Sequence, residues 1–329
     1  MIVTLKSDAD AVSVLRELTG RGLWVARVER SSSGSMVHYV IAPHSQPADP
    51  KDVAGIEGVA EVSVPRPAHP LVSAQGPVVN VSGVPIGQTK PVYMCGPCSV
   101  ESEEHARETA EVLASLGVAF MRGGAFKPRT SPYAFQGHGD IALEWMRRAA
   151  DATGMRIVTE ALGEAHVPIV AELADLVQVG SRNMQNFSLL KAVGKTGKPV
   201  LLKRGMAATI EEWLLAGEYL LTHGAKGVVF CERGIRGFDD STRNLLDIGA
   251  VALLRHVHRL PVIVDPSHGL GRRDLVLPLG RAALSAGASG LMIETHPDPG
   301  VALSDGPQAV PLAELGAVLG GLGAAEVFG

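Results

Sequence analysis

Cysteine is scarce, with three residues in a chain of 329, at positions 95, 98 and 231. That number excludes a disulfide framework and a four-cysteine zinc site, and it suits a reducing compartment. Basic excess is missing too: 30 Lys plus Arg stand against 34 Asp plus Glu, a net charge of −4. Nucleic acid is therefore not an expected partner. Although 46% of the residues are apolar, Gly, Pro and charges cut every hydrophobic run short of the roughly 18 residues of a membrane span. The first ten residues, MIVTLKSDAD, have no basic stretch, apolar stretch or small-residue cleavage site. The chain is expected to stay in the cytosol.

What is present divides into two patterns. Residues 1–6 alternate as a strand, and Ala11, Val14, Leu15 and Leu18 repeat at helical spacing before Gly20 and Gly22. Strands are expected at Leu23–Arg30 and Met36–Ala42 around the turn SSSGS, a helix from Asp49-Pro50, and a last strand at Val59–Val64. This β-α-β-β-α-β order predicts a small ferredoxin-like domain over residues 1–70, and residues 65–77, rich in Pro and small side chains, read as a linker. Over 71–329, short apolar strands then alternate with helices, at Val92–Cys95, Val118–Arg122, Arg156–Thr159, Leu176–Val179, Val200–Lys203, Gly227–Cys231, Val262–Asp265 and Gly290–Glu294. Thr209 and Glu212 form a capping box that opens a helix over Thr209–His223. Eight such units predict an α/β fold, the TIM (β/α)8 barrel. An open doubly wound sheet would need a Gly-rich phosphate loop. Gly194-Lys195-Thr196 has Leu189 where such a loop needs Gly, and Gly269-Leu-Gly271 lacks the third Gly of a dinucleotide fingerprint.

Polar residues gather at the ends of the eight strands, on the face where such barrels build active sites. Arg122, Lys127, Arg129, Arg182, Lys203 and Arg233 would converge on one mouth in a chain of negative net charge. Guanidinium forks fit phosphate and carboxylate, so the ligand should be polyanionic. A second set, Cys98, His268, Glu294 and Asp305, combines thiolate, imidazole and two carboxylates. That chemistry suits a borderline divalent ion, Zn²⁺, Mn²⁺ or Fe²⁺, better than Mg²⁺ or Ca²⁺. Each residue also has a plainer reading: a core thiol, a carboxylate paired with Arg, or a redox pair in the CxxC. Cys95 and Cys231 are expected to be structural.

The segments GPCSVES, RGGAFKPRTSPYAFQG, TEAL, VGSRNMQNFSLL, PVLLKRG, CERGIRGF, DPSHG and ETHPDP with ALSDGPQ resemble those of the 3-deoxy-D-arabino-heptulosonate 7-phosphate (DAHP) synthases, over about residues 78–329. The preceding module resembles the ferredoxin-like regulatory domain of one subgroup. No helical chorismate mutase segment is visible at either end, so a bifunctional fusion is not expected. The resemblance implies a condensation of phosphoenolpyruvate with erythrose 4-phosphate and water, releasing phosphate, at the first step of the shikimate pathway. It implies that Cys98, His268, Glu294 and Asp305 hold a divalent metal, Mn²⁺ first, with Zn²⁺, Fe²⁺ or Co²⁺ as options. It also implies that Arg182 and Arg233 hold the phosphate of phosphoenolpyruvate, that Arg122, Lys127 and Lys203 reach its carboxylate, and that Arg129, Thr130 and Ser131 hold the aldose phosphate. Ser181 and Asp265 join the substrate-binding set. Glu160 is expected to orient the attacking water and Lys127 to act as general acid, alongside Cys98 and His268 at the reacting end. An aromatic amino acid, phenylalanine or tyrosine, is the expected effector of the first domain, and a homo-oligomer, a tetramer, the expected assembly. Two alternatives stand. A 3-deoxy-D-manno-octulosonate 8-phosphate synthase would use arabinose 5-phosphate, but the KPRT segment at 127–130 favours the four-carbon sugar over the longer one. A silent sensor would have lost a ligand or an anion-binding Arg, and none is lost.

Overall fold

The computed structural model describes residues 1–30, 36–127 and 131–323. The expected SSSGS turn and two expected phosphate ligands, Arg129 and Thr130, lie outside the described residues. The chain divides into two compact units, Met1–Ala68 and His69–Gly329.

In the first unit, strands β1 (Ile2–Leu5), β2 (Val25–Arg30), β3 (Val37–Ile41) and β4 (Val59–Ser63) form an antiparallel sheet in the order β2-β3-β1-β4. This is the ferredoxin-like arrangement the alternation predicts. Helix Ala11–Gly20 starts where the Asp10 carboxylate accepts the amides of Val12 and Ser13, and helix Pro50–Ala54 starts at Asp49 with Pro at its first position. Val14 and Leu18 turn inward onto Val3, Leu5, Tyr39 and Ile41, whereas Leu15, read as part of the same apolar face, is 38% exposed. A helix on a small sheet buries a stripe narrower than its pattern suggests.

In the second unit, eight parallel strands close on themselves: β7 (Val92–Gly96), β8 (Phe120–Arg122), β9 (Arg156–Glu160), β10 (Leu176–Val179), β11 (Val200–Lys203), β12 (Val228–Glu232), β13 (Val262–Val264) and β14 (Gly290–His296). β14 pairs with both β7 and β13, which completes the barrel. Alternate strand residues, among them Met94, Phe120, Leu201, Val229 and Met292, fill the interior, and the others pack outward under the helices. Helix Ile210–Thr222 carries the expected capping box, both halves of which are formed. Trp213 of this helix is fully buried, edge-to-face with Phe230, its indole N–H donating to Leu202 O at 3.1 Å.

Two features correct the reading of the sequence. The stretch taken as a linker over 65–77 contains a helix, Pro70–Ala74, docked on the barrel: Val72 is fully buried in its core. Glu218 accepts the amides of Leu71 and Val72 at 3.0 and 2.9 Å, and the Gln75 amide exchanges hydrogen bonds with the Val228 backbone. Next, β5 (Val79–Val81) and β6 (Val84–Ile86) form a hairpin whose two turn residues, Ser82 and Gly83, both have positive φ. Val79, Val81 and Ile86 plug the starts of the barrel strands, and Arg156, the first residue of β9, donates to Ser82 O. The plug leaves the opposite end open. Among the described residues no helix is long and apolar enough to cross a membrane.

Candidate active site

β7 ends in Gly96, where φ is 147° and a Cβ would lie 2.0 Å from Arg122 O, so only Gly lets these two strands approach as they do. The approach places Cys98 beside the end of β8. Arg122 Nη1 donates to Pro97 O at 2.6 Å and to Glu294 Oε1 at 3.2 Å. Lys127 Nζ donates to Cys98 O at 2.9 Å and lies 2.8 Å from its Sγ, while the thiol donates to Asp305 Oδ2 at 3.2 Å. His268 sits in the short helix Pro266–Leu270, which Asp265 caps by accepting the His268 amide at 3.0 Å. The second oxygen of Asp265 accepts His268 Nδ1 at 2.8 Å and Lys203 Nζ at 2.6 Å. A proton on Nδ1 leaves the lone pair on Nε2, which lies 3.3 Å from Glu294 Oε1.

Donor atoms of Cys98, His268, Glu294 and Asp305 all lie within 4.8 Å of one another. Burial opposes ionisation of the three carboxyls here, but His268 and Lys203 hold Asp265 well below the ordinary range, His268 and Arg122 lower Glu294, and His268 and the Cys98 thiol lower Asp305. Burial lowers His268 against the pull of Asp265 and Glu294, and burial together with Glu294 pushes the Cys98 thiol up to about 12. Two carboxylates, an imidazole and a thiol match the donor set of a borderline divalent ion.

Beside this cluster the barrel mouth is lined by Arg122, Lys127, Arg182, Lys203 and Arg233, the described members of the expected cationic set. Arg233 is 6% exposed, and its Nη1 has no hydrogen-bond partner among the described residues. Burial, with Arg243 and Arg182 nearby, pulls it below the ordinary arginine range. A buried guanidinium facing other cations is relieved by an anion. Glu160 and Ser181 line the same mouth, and the Ser181 hydroxyl is also without a partner there. Glu160 Oε2 accepts Gln178 Nε2 at 2.9 Å, and Gly180 makes room for the carboxylate. Ser131 is exposed, bonded to the amide of Tyr133, and does not line the mouth. Cys95 and Cys231 are fully buried in the barrel.

Reading the sequence missed three residues of this face. Arg243 lines the mouth from the connection between β12 and β13, in a stretch without local periodicity. Gln178 was legible as the one polar interruption in the strand Leu-Val-Gln-Val, and Gln308 contacts Glu294 from the DGPQ segment. Arg204, also at a strand end, turns away to pair with Glu232 and Asp247. A second donor set, Glu101, His105 and His296, also lies within 4.8 Å. There His296 Nδ1 accepts the Asp298 amide, and its Nε2 lies 3.5 Å from Glu101 Oε1 without a hydrogen-bond partner among the described residues.

Comparison with known proteins gives consistent results. The model of the DAHP synthetase I family matches residues 71–320. A phospho-2-dehydro-3-deoxyheptonate aldolase of Thermotoga maritima is 52% identical over 260 residues, 78% of this chain and 76% of that one. A 2-dehydro-3-deoxyphosphooctonate aldolase of Methylobacillus flagellatus is 32% identical over 73% of this chain and 93% of its own. The crystal structure of the Thermotoga maritima DAHP synthase superposes with a TM-score of 0.77 at 41% identity, covering 98% of this chain and 96% of that one. A truncated form of the Thermotoga maritima enzyme gives 0.70 at 48% identity, over 75% of this chain and 90% of that one.

Proposed function

The chain belongs to the DAHP synthetase I family, and from that premise we propose how its barrel mouth joins phosphoenolpyruvate to erythrose 4-phosphate. The observation that carries the reading is one wall built of Cys98, His268, Glu294 and Asp305 and an adjoining wall of five cations, with Lys127 bonded to Cys98 where the two meet. Arg182 and Arg233 hold the phosphate of phosphoenolpyruvate, Arg122, Lys127 and Lys203 its carboxylate, and Arg129 and Thr130 the phosphate of the aldose. Pairing each anionic group with fixed cations orients C3 of the enol toward the aldehyde. Cys98, His268, Glu294 and Asp305 would hold a divalent ion, Mn²⁺ first, which supplies Lewis acidity toward the aldehyde oxygen.

As the C3–C4 bond forms, the aldehyde oxygen takes up a proton, and Lys127 Nζ is the donor. C2 of phosphoenolpyruvate becomes electron-poor and takes a water oxygen. Glu160, held by Gln178, orients that water and accepts its proton. The resulting phosphohemiketal expels inorganic phosphate by C–O cleavage as its hydroxyl proton passes to the departing phosphate and the C2 ketone forms, with Arg182 and Arg233 taking the leaving charge. Identities of 52% to the heptonate enzyme and 32% to the octonate enzyme support the four-carbon aldose, as does the KPRT segment. The test is phosphate release with erythrose 4-phosphate and with arabinose 5-phosphate, each with and without chelator. Release that favours the five-carbon sugar, or that survives complete metal removal, overturns this reading.

The described residues that line the barrel mouth all belong to the second unit, and a regulatory role is the reading for the first. On this reading phenylalanine or tyrosine binds it and inhibits the barrel, which acts as a homo-tetramer in the cytosol.

A further inference from the structure

Glu294 is fully buried, and its two oxygens have different surroundings. Oε1 faces Arg122 and His268, toward the donor cluster, while Oε2 accepts the side-chain amide of Gln308, itself 3% exposed. Gln308 closes the short turn Gly306–Gln308, whose preceding residue, Asp305, is held at φ 50° with its carbonyl accepting the Gln308 amide. One turn therefore carries a metal-ligand candidate and the partner of another.

A glutamine side chain can present either oxygen or NH2, and the two orientations fill the same space. Here Glu294, which only accepts, and Arg243, which only donates, select the same orientation. Arg243 Nη1 donates to Gln308 Oε1 at 3.0 Å and lies 3.7 Å from Asp305 Oδ1. A guanidinium only donates, so it fixes the amide oxygen toward itself and the NH2 toward Glu294. Arg243 is in turn seated by backbone: its amide donates to Leu270 O, and Gly271, at φ 70°, leaves room for its Cβ.

We propose that Gln308 is a positioning residue for Glu294, and that Arg243 acts through it by setting the orientation of its amide. The inference rests on Cys98, His268, Glu294 and Asp305 being the metal ligands. Without Arg243 the amide turns over in part of the molecules and puts an oxygen against a carboxylate. The carboxylate then rotates, and the cluster loses its preset geometry. Partners that orient ligands in this way change metal affinity by about 10- to 100-fold.

The experiment titrates metal-free full-length protein with Co²⁺ in the absence of substrate and follows the thiolate-to-cobalt charge-transfer band that Cys98 gives. The wild type is compared with Gln308→Met, Arg243→Met, Arg243→Lys and the double variant Arg243→Met/Gln308→Met. Gln308→Met and Arg243→Met should each weaken binding by about 10- to 100-fold, and Arg243→Lys, still a pure donor, should bind close to wild type. The double variant should bind no worse than Gln308→Met alone, because one residue acts through the other. Wild-type affinity in Gln308→Met, equal loss in the lysine and methionine variants, or additive losses would overturn the proposal. Should Arg243→Met fold poorly, binding in Arg243→Lys with loss in Gln308→Met supports the proposal and any other pattern overturns it. A wild type without the band refutes the ligand assignment itself, a separate failure from that of the positioning residues.

Discussion

Replacing Gly180 by Ala tests the role of Glu160 without touching Glu160. The backbone there has φ −73° and ψ 161°, which Ala adopts freely, so no strain arises in the chain itself. The added Cβ would stand 2.0 Å from Glu160 Oε1 and 2.7 Å from its Cδ. Ordinary contact needs roughly 3.4 Å or more between such atoms, so the carboxylate must move by more than about 1 Å. Moving it breaks the bond from Gln178, a charge-assisted contact contributing about 1.5–3 kcal/mol. Against this, Gly→Ala at a permissive position stabilises by about 0.4–1 kcal/mol through the unfolded chain. The net loss is about 0.5–2.6 kcal/mol, a shift in Tm of only several degrees for a unit of this size. The effect on turnover is expected to be larger: a displacement of this size costs about 100-fold, and loss of a proton acceptor 100- to 10,000-fold. Steady-state phosphate release and a thermal melt on the same sample separate the two. A Gly180→Ala enzyme with wild-type kcat, in which Glu160 is nonetheless displaced, would refute the reasoning.

Chelation should abolish turnover and Mn²⁺ restore it, while Cys98→Ala should lose at least 100-fold of kcat/KM at micromolar metal, read by phosphate release against a metal titration. Erythrose 4-phosphate should exceed arabinose 5-phosphate by at least ten-fold in kcat/KM when the two are compared on one preparation. Removing residues 1–68 should leave phosphate release within a few-fold of the full chain and eliminate inhibition by phenylalanine and tyrosine, and inhibition that persists in the shortened chain would place the effector on the barrel. Asp175 accepts the Ile157 amide, the Ser82 hydroxyl and Arg147, contacts that outweigh its burial and lower its carboxyl below the ordinary 3.8. A lowered folded value means stability that is present above 3.8 and lost as pH falls through the folded value, so Asp175→Asn should cost about 1–3 kcal/mol in urea unfolding at pH 7 and progressively less below pH 4.

All eight barrel strands were legible because each is a short apolar run buried on both faces, bounded by glycine or a charge, and such runs announce themselves without tertiary information. The hairpin Val79–Ile86 was not, although its alternation is regular, because three-residue strands fall below the length at which periodicity is distinguishable from loop. The helix Pro70–Ala74 failed for a different reason: composition marks its segment as a linker, and only Glu218 and Gln75, which tie it to the barrel at long range, make it part of the core. The site divides along the same line. Cys98, His268, Glu294 and Asp305 could be named because chemically distinctive residues sit at predicted strand ends, a placement the barrel topology converts into proximity. Arg243 and Gln308 carry no such mark. Their significance lies in which atom of an amide faces which charge, and that is decided by a contact 65 residues apart in the chain, formed only when the loops after β12 and β14 are both in place. What local pattern reveals is therefore the inventory of reactive groups, and what it hides is the second layer that aims them, since a positioning residue needs only the right donor at the right point and any stretch of chain can supply one.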